Sequence, residues 1–199
     1  FRRVLFRSQV VAYAAHAGMF AARLWWMLRW VGHANVAVLE GSLAAWLAAG
    51  GELSTETAPR PRGSITLQPS LAPLVGAADV LANLATKKHT VLDARAADRF
   101  RGENETIDPV AGHIPGAKNR CFKDNLLDDG TFKSAQALRE EFGALITHPE
   151  STILQCGSGI SACHNALAME IAGLSGASLY PGSWSEWSSD KSRPVATGS

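Results

Sequence analysis

Short apolar runs alternate with longer amphipathic stretches along the chain. Runs of three to five mostly apolar residues predict strands, and spacings of three and four between apolar positions predict helices. We expect strands at 10–13, 36–39, 90–92, 151–155 and 177–180, and helices at 20–31, 77–84, 135–145 and 162–172. Strands that alternate with helices indicate an α/β fold with a doubly wound parallel sheet and helices on both faces.

An internal repeat organises this pattern. Each copy has a strand, a short loop, a helix, a second strand and a Gly-Ser pair. The loop begins at Ala14 in the first copy and at Cys156 in the second, and the Gly-Ser pair begins at Gly41 and Gly182. The loop-to-Gly distance is therefore 27 residues in one copy and 26 in the other. We interpret the copies as related units, of which the first lacks the segments that should precede its strand.

The stretch between the copies predicts a linker. Residues 52–64 are rich in proline and small polar residues, which is typical of interdomain segments. The linker separates a first unit, 1–51, from a second, 65–199. Residues 1–8 fit no motif.

Composition excludes several classes of function. Hydrophobic residues make up 46% of the 199 residues and charged residues 19%, so the chain can bury a sizeable core. The net charge of +1 provides no basic field for nucleic acid. The basic start followed by an apolar run resembles a signal peptide, but Arg23 and Arg29 interrupt it before the ~20 residues of a membrane span. Three cysteines favour free thiols in a reducing, cytoplasmic compartment.

The loop that begins at Cys156 carries the strongest chemical signal. A thiol at the carboxyl end of a buried strand, followed at once by a helix, occupies the position where open α/β sheets bind ligands. Gly157 and Gly159 let the backbone turn so that successive amides point inward. Such a cradle at a helix N-terminus stabilises a thiolate, a persulfide or a bound anion. The alternative is a buried structural cysteine beside a glycine turn.

These residues resemble a known family. The loop 156–164 is similar to the active loop of the two-domain sulfurtransferases that use mercaptopyruvate or thiosulfate (rhodanese). Supporting matches are Asp93-Ala94-Arg95, Arg99-Phe100-Arg101-Gly102, the segment 112–117 and the segment 182–187. The resemblance covers 65–199 and, more faintly, 9–50. It implies a rhodanese-like fold whose first domain is inactive, in agreement with Ala14 at the position of Cys156.

The resemblance also implies a mechanism and a set of site residues. Cys156 takes sulfur from a small anionic donor as a persulfide and passes it to an acceptor such as cyanide or a thiol. Arg99 binds the anionic end of the donor, unless it is merely a solvated helix charge. No cofactor is expected, and Cys163 and His164 lack the spacing of metal ligands. The loop residues that hold the charge are Gly157, Ser158, Gly159, Ile160 and Ser161.

Other residues in the matching segments suggest framework roles. We expect Asp93 and Arg95 to form an ion pair at a strand end, and His113 to be a structural histidine in its Gly-Pro turn. Trp184 and Trp187 either wall the mouth of the site or pack in the core. Cys121 has no evident role.

Alternative functions differ in what they require of the loop. Related dual-specificity phosphatases need an arginine six residues after the cysteine, where this chain has Ala162. A non-catalytic module that binds a partner or senses redox state would not need Cys156 and both glycines. Gly157 and Ser158 favour mercaptopyruvate as donor, yet the segment 103–108 lacks the second arginine of many mercaptopyruvate enzymes. Thiosulfate therefore stays open.

The first unit carries an expectation of its own. Residues 1–51 are predicted to be the remnant of an inactive rhodanese domain, and the chain a fragment whose stable unit is 65–199. The helix at 20–31 carries more apolar surface than an exposed helix tolerates. We expect part of it to cover the second unit, and the first protease cuts to fall within the linker.

Overall fold

The fold is described from a computed structural model that covers residues 9–56 and 66–199. Residues 1–8 and most of the predicted linker lie outside the described residues.

The described chain contains two parallel sheets and seven α-helices. In chain order the elements are β1 (Val10–Ala12), α1 (Met19–Trp30), β2 (Val36–Val38), α2 (Ser42–Ala48), α3 (Ala77–Thr86), β3 (Thr90–Asp93), α4 (Ala97–Arg101), β4 (Lys118–Asn119), α5 (Ala135–Gly143), β5 (Thr152–Gln155), α6 (Ser161–Ile171), β6 (Ser178–Leu179) and α7 (Ser183–Ser189). Strands β1 and β2 pair with each other, and the larger sheet has the order β4-β3-β5-β6. The predicted α/β class and parallel pairing are confirmed.

Helices cover both faces of the four-stranded sheet. Leu92 and Leu154 point to one face, where they pack with residues of α1, α5 and α6. Val91 and Ile153, their neighbours along β3 and β5, point to the other face and pack with residues of α3 and α7. This alternation is the two-residue period of a strand buried on both sides. The sheet is thus doubly wound, as predicted.

The order of strands places a crevice between β3 and β5. The chain passes from β3 outward to β4 and then returns to form β5 on the other side of β3. Connections that leave two neighbouring strands in opposite directions open a crevice at their carboxyl ends, where open α/β sheets bind ligands. Ala94 follows β3 and Cys156 follows β5 at this edge.

The internal repeat is visible in the backbone. The Leu39 amide donates to the Ala12 carbonyl at 2.8 Å, and the Tyr180 amide donates to the Leu154 carbonyl at 2.9 Å. Ser42 and Ser183, the serines of the two Gly-Ser pairs, both adopt positive φ, 62° and 54°. Both units therefore share a turn that side chains rarely adopt.

Helix α1 of the first unit packs on α6 of the second. Trp25 and Trp26 are buried in the core cluster that also contains Cys163 and Leu167 of α6. Arg29 forms an ion pair with Glu170 at 3.1 Å. The opposite side of α1 stays exposed at Phe20, Leu24, Met27 and Trp30. The apolar helix is thus half covered by the second unit.

Among the described residues, no helix has the length and apolar character needed to cross a membrane.

Candidate active site

Cys156 occupies the first position after β5 and is 2% exposed. Its amide donates to the Ser183 hydroxyl at 3.1 Å, and its carbonyl accepts from the Trp184 amide at 3.0 Å. The Ser183 hydroxyl in turn donates a hydrogen bond to the Tyr180 carbonyl at 2.9 Å. The Gly-Ser turn that starts α7 therefore fixes the backbone of the cysteine.

Two glycines let the loop after Cys156 pass close to its neighbours. Gly159 has φ +74°, and a Cβ there would lie 2.5 Å from the Pro181 carbonyl oxygen. Any larger residue would force the loop away from Pro181. A Cβ at Gly157 would lie 3.9 Å from both terminal nitrogens of Arg99. The guanidinium thus lies directly against the start of the loop.

The amides of residues 157–162 belong to the loop of the predicted cradle and to the first turn of α6. Among the described residues, none accepts a hydrogen bond from these amides, and no side chain caps the start of α6. The first amides of a helix lack intrahelical acceptors and carry partial positive charge. The loop therefore offers unpaired donors beside the Cys156 thiol, the arrangement that stabilises an anion.

The crevice contains almost all the predicted site residues. A cleft of about 290 Å³ is lined by Arg99, Cys156, Gly157, Ser158, Ile160 and Ser161, together with Met19, Ala94, Arg95, Ala96, Ile107, Asp108, Phe122 and Ser185. Gly159 is buried behind the loop, where its carbonyl accepts from Arg23 at 3.2 Å. Its contribution is the turn itself.

Arg99 reaches this cleft already engaged by two carboxylates. Its Nε and Nη2 donate to both oxygens of Glu105 at 2.7 to 3.2 Å, and Nη2 also donates to Asp108 at 3.2 Å. Burial opposes ionisation of Glu105, but hydrogen bonds from Arg99 and from the amides of Ile107 and Asp108 outweigh it and lower the pKa of Glu105. The Arg99 side chain is thus fixed by ion pairs with Glu105 and Asp108 rather than surrounded by solvent.

The framework residues behave as expected. Arg95 pairs with Asp93 at 2.7 Å, donates to the Gly112 carbonyl at 2.7 Å and stacks on Trp184. His113 stacks on Phe100, and its Nδ1 lies 2.8 Å from the Phe100 carbonyl. The predicted ion pair and the predicted structural histidine are both confirmed.

The two tryptophans of α7 belong to the core. Trp184 and Trp187 are fully buried in the cluster on the far face of the sheet. Their indole nitrogens donate to the carbonyls of Val110 and Pro194, both at 2.9 Å. This position excludes the alternative that they wall the mouth of the cleft.

The remaining cysteines occupy environments that disfavour thiolate. Burial raises the pKa of Cys163 to about 12, although Arg23 opposes the shift. Burial also raises the pKa of the half-buried Cys121. Both thiols are therefore poor nucleophiles at neutral pH.

His164 lies on α6 beside Cys163, inside the protein. Burial lowers the pKa of His164 to about 4. The part of the chain that the structure describes contains no group of three or more residues suited to hold a metal ion.

The sequence patterns do not indicate several residues of the site. Glu105 and Asp108 lie in a segment that is distinctive in sequence only for its lack of arginine, yet they hold Arg99. Ser185 joins Asp108 to α7 through a 2.6 Å hydrogen bond. Arg23 contacts the loop from the other unit. The repeated Gly-Ser pair was a signal for Ser183, but no sequence signal indicated Arg23.

Comparisons with known proteins agree with this geometry. The family model of the rhodanese-like domain matches residues 76–190. A Pseudomonas aeruginosa protein described as "Probable 3-mercaptopyruvate sulfurtransferase" is 50% identical over 195 residues, which are 96% of this chain and 68% of that protein. Bovine thiosulfate sulfurtransferase is 39% identical, with 84% of this chain and 58% of that protein covered. Human 3-mercaptopyruvate sulfurtransferase is 36% identical, with coverages of 90% and 62%.

Solved structures share the fold at lower identity. The Tum1 protein from Saccharomyces cerevisiae superimposes with a TM-score of 0.84 at 24% identity, over 98% of this chain and 71% of that one. The chain spans about three fifths to two thirds of the curated relatives' length. With a matching family model over more than half of its residues, the chain belongs to the rhodanese-like family of sulfurtransferases.

Proposed function

We propose that this chain transfers sulfane sulfur from 3-mercaptopyruvate to a thiophilic acceptor through a persulfide on Cys156. The observation that carries the proposal is the position of Cys156 at the carboxyl end of β5, beside the unpaired amides of residues 157–162. The names of the relatives support sulfur transfer, and the most similar of the three described above is named for mercaptopyruvate.

In the first half-reaction the Cys156 thiolate attacks the sulfur of 3-mercaptopyruvate. The carbon–sulfur bond breaks, and its electron pair leaves on the carbon as the enolate of pyruvate. That enolate takes the proton of the donor thiol, so that pyruvate departs and Cys156 keeps a persulfide. The loop amides from Gly157 to Ser161 hold the negative charge on sulfur throughout.

In the second half-reaction the acceptor removes the outer sulfur. Cyanide attacks that sulfur, the sulfur–sulfur bond breaks towards Cys156, and thiocyanate leaves with the thiolate restored. A thiol acceptor leaves as its own persulfide in the same way. The amides that stabilise the persulfide also stabilise the returning thiolate, so one cradle serves both steps.

Arg99 is the proposed partner of the donor's carboxylate. Its terminal nitrogens lie against Gly157, next to the thiol, and Ser158 is exposed at the same rim. A guanidinium suits a carboxylate because its geometry is planar and its charge is permanent. Ser158 can donate a hydrogen bond to the keto oxygen, or it is simply the small residue that leaves room for the donor.

Replacing the nucleophile tests the proposal. Cys156→Ser should abolish sulfur transfer and keep the fold, because a hydroxyl cannot form a persulfide and the volume change is small. Mass spectrometry after donor treatment should find one added sulfur on Cys156 in the parent chain. Cys163→Ser is the matched control and should retain the adduct. Sulfur on Cys121 or Cys163 instead of Cys156 would refute the assignment.

Two alternatives remain for the same site. Thiosulfate as donor is supported by relatives named for it, and it is also an anion that the loop amides would stabilise. Side-by-side steady-state rates with both donors decide between them. A non-catalytic binding or redox-sensing module is the second alternative, and a cyanide-dependent thiocyanate assay separates it from an enzyme.

We also propose a cytoplasmic location, with a small anionic sulfur donor and a thiol or cyanide acceptor as partners, and with neither nucleic acid nor membrane among them. Cys121, Cys156 and Cys163 are all free thiols, which fits a reducing compartment. The balanced net charge of +1 gives no support for nucleic-acid binding. Fractionation of the native host, with an antibody against the chain, tests the location.

A further inference from the structure

The N–H groups of the Arg99 guanidinium are unequally occupied by hydrogen-bond acceptors of the protein. Glu105 takes the side formed by Nε and Nη2, and Asp108 takes Nη2 as well. Among the described residues, Nη1 has no acceptor. An arginine binds an anion most strongly with two parallel N–H groups. Arg99 therefore has Nη1 to offer to an incoming anion, while Glu105 and Asp108 both compete with that anion for Nη2.

Asp108 is fixed in this competing position. Its side chain is 7% exposed, and its second oxygen accepts a 2.6 Å hydrogen bond from the Ser185 hydroxyl. The Ser185 amide donates to the Gly157 carbonyl at 2.9 Å, so the residue that holds Asp108 also holds the loop. Asp108, Ser185 and Cys156 line the same cleft. A donor that reaches the thiol consequently meets the Asp108 carboxylate as well as Arg99.

The carboxylates around Arg95 and Arg99 outnumber these two arginines, so the local charge does not favour the binding of anions. Three carboxylates, those of Asp93, Glu105 and Asp108, surround the two guanidinium groups of Arg95 and Arg99. Asp93 and Glu105 each accept several hydrogen bonds from one arginine. Asp108, in contrast, makes a single contact with Arg99 and lines the cleft. Of the three, Asp108 has the charge that a donor anion would feel most directly.

Repulsion by this carboxylate depends on the charge of the donor. The interaction energy of two charges is proportional to their product, so a dianion is repelled twice as strongly as a monoanion at the same distance. Doubling a free energy squares the corresponding ratio of binding constants. A carboxylate at the clamp thus discriminates against a dianion even where both anions fit the cleft.

On the basis of the proposed function, we propose that Asp108 determines donor specificity by charge, favouring a monoanionic 2-oxo acid thiol over the dianion thiosulfate. The thiosulfate reaction would deliver the outer sulfur to Cys156 and release sulfite, with the sulfur–sulfur pair of electrons leaving on sulfite. Its substrate thiosulfate is a dianion at neutral pH, and its product sulfite is a dianion at alkaline pH. Asp108 opposes both, whereas mercaptopyruvate and pyruvate each bring one carboxylate.

The test measures anion binding without turnover. In a Cys156→Ser background, amide signals of the 157–161 loop are followed by NMR during titration with pyruvate and, separately, with sulfate. Asp108→Asn keeps an oxygen that can accept from Ser185 but removes the charge. It should raise the affinity for pyruvate about threefold and that for sulfate about tenfold, the square of the first factor. The matched control is Glu103→Gln, which removes a charge from the same segment at an exposed pair with Arg101.

The outcomes separate charge from shape and from activity. Asp108→Ala cannot accept a hydrogen bond from Ser185. If charge is the cause, this variant should also gain more affinity for sulfate than for pyruvate. Equal shifts for both anions in the two variants, or no shift, would overturn the role of Asp108. In chains that retain Cys156, the ratio of kcat/KM for thiosulfate to that for mercaptopyruvate should rise about threefold in Asp108→Asn. A parent chain that transfers no sulfur would refute the proposed function, while the titrations would still decide the role of Asp108.

Discussion

The neighbours of Arg99 determine both the orientation of its guanidinium and the positive field that a donor meets. The guanidinium lies against the start of the loop that follows Cys156, and Glu105 holds it through Nε and Nη2. This arrangement fixes the side chain before a donor arrives, which lowers the entropy lost on binding. The same carboxylates reduce the positive field that the donor meets. The site therefore gains orientation at the expense of raw electrostatic attraction.

Removing Arg99 should weaken donor binding. Arg99→Ala should raise the KM for both donors roughly 10- to 100-fold, the equivalent of about 1.4 to 2.8 kcal/mol for a lost hydrogen bond to a charged group. The carboxylates of Glu105 and Asp108 would then face the donor unopposed and add to the effect. Reaction of the persulfide with cyanide should change much less, because the acceptor needs no clamp.

Single-turnover kinetics separate the two half-reactions of this variant. Arg101→Ala is the control, since Arg101 lies on the same helix and pairs with the exposed Glu103. Unchanged donor kinetics in Arg99→Ala would return Arg99 to the role of a structural charge.

The elements were largely predictable because each carries a strong local pattern. The buried strands at 90–93 and 152–155 read as short apolar runs, and α6 follows a glycine loop that marks its start. Long-range partners were not predictable, because periodicity says which face is buried but not against what. The burial of Trp25 and Trp26 against α6, and the position of Trp184 in the core, depend on contacts between distant segments.

The site also contains a part that the sequence indicates and a part that depends on contacts between separate segments. Cys156 and its loop are contiguous in sequence and form a recognisable motif, so the sequence indicated them directly. The pairing of Arg99 with Asp108 depends on how the segment 102–110 folds back over the cleft. That segment has no helical or strand periodicity, and its conformation follows from hydrogen bonds such as that of Ser185 with Asp108.

Helix α1 should influence catalysis through Arg23. This side chain stacks on Trp26 and donates to the Gly159 carbonyl at 3.2 Å, so it supports the loop from behind. Arg23→Met should lower kcat about five- to tenfold, the equivalent of about 1 to 1.4 kcal/mol, because the loop amides would lose their fixed orientation. KM for the donor should change less, since Arg99 remains.

Arg29 on the same helix provides the matched control. It stacks on Trp25 and pairs with Glu170, away from the loop. Arg29→Met should cost similar stability but leave kcat unchanged once both variants are shown by circular dichroism to be folded at the assay temperature. Equal losses of kcat in the two variants would mean that Arg23 acts only through general stability.

At the scale of the whole molecule, His164 joins segments that are far apart in sequence. Its Nε2 lies 3.1 Å from the Ala17 carbonyl of the first unit, and its Nδ1 lies 3.2 Å from the Asn125 amide nitrogen. The ring stacks on Phe132 and meets the edge of Phe122. Because Asn125 donates to Nδ1, the neutral tautomer carries its proton on Nε2 and donates to Ala17. Protonation would place a charge in this buried cluster.

The pH dependence of stability should report this histidine. Its pKa is lowered from 6.5 to about 4 by burial, so between these values the unfolded chain binds a proton that the folded chain does not. The stabilisation is fully present above pH 6.5 and is lost as the pH falls towards 4, by roughly 3 kcal/mol in total. Thermal unfolding followed by circular dichroism from pH 7.5 to 4 should show Tm falling through this window.

A variant without the titrating ring isolates the effect. His164→Gln keeps polar atoms for Asn125 and Ala17, and it should lower Tm at pH 7.5 but flatten the profile between pH 6.5 and 4. Carboxylates with a lowered pKa, such as Glu105 and Glu141, lose their contribution as the pH falls below their usual value of 4.5, so they overlap only the lower end of this window. His148→Gln, at an exposed histidine outside the cluster, is the control and should keep the profile of the parent chain. If His164→Gln and the parent chain lose stability in parallel from pH 6.5 to 4, the acid sensitivity arises elsewhere and the neutral His164 bridge does not control it.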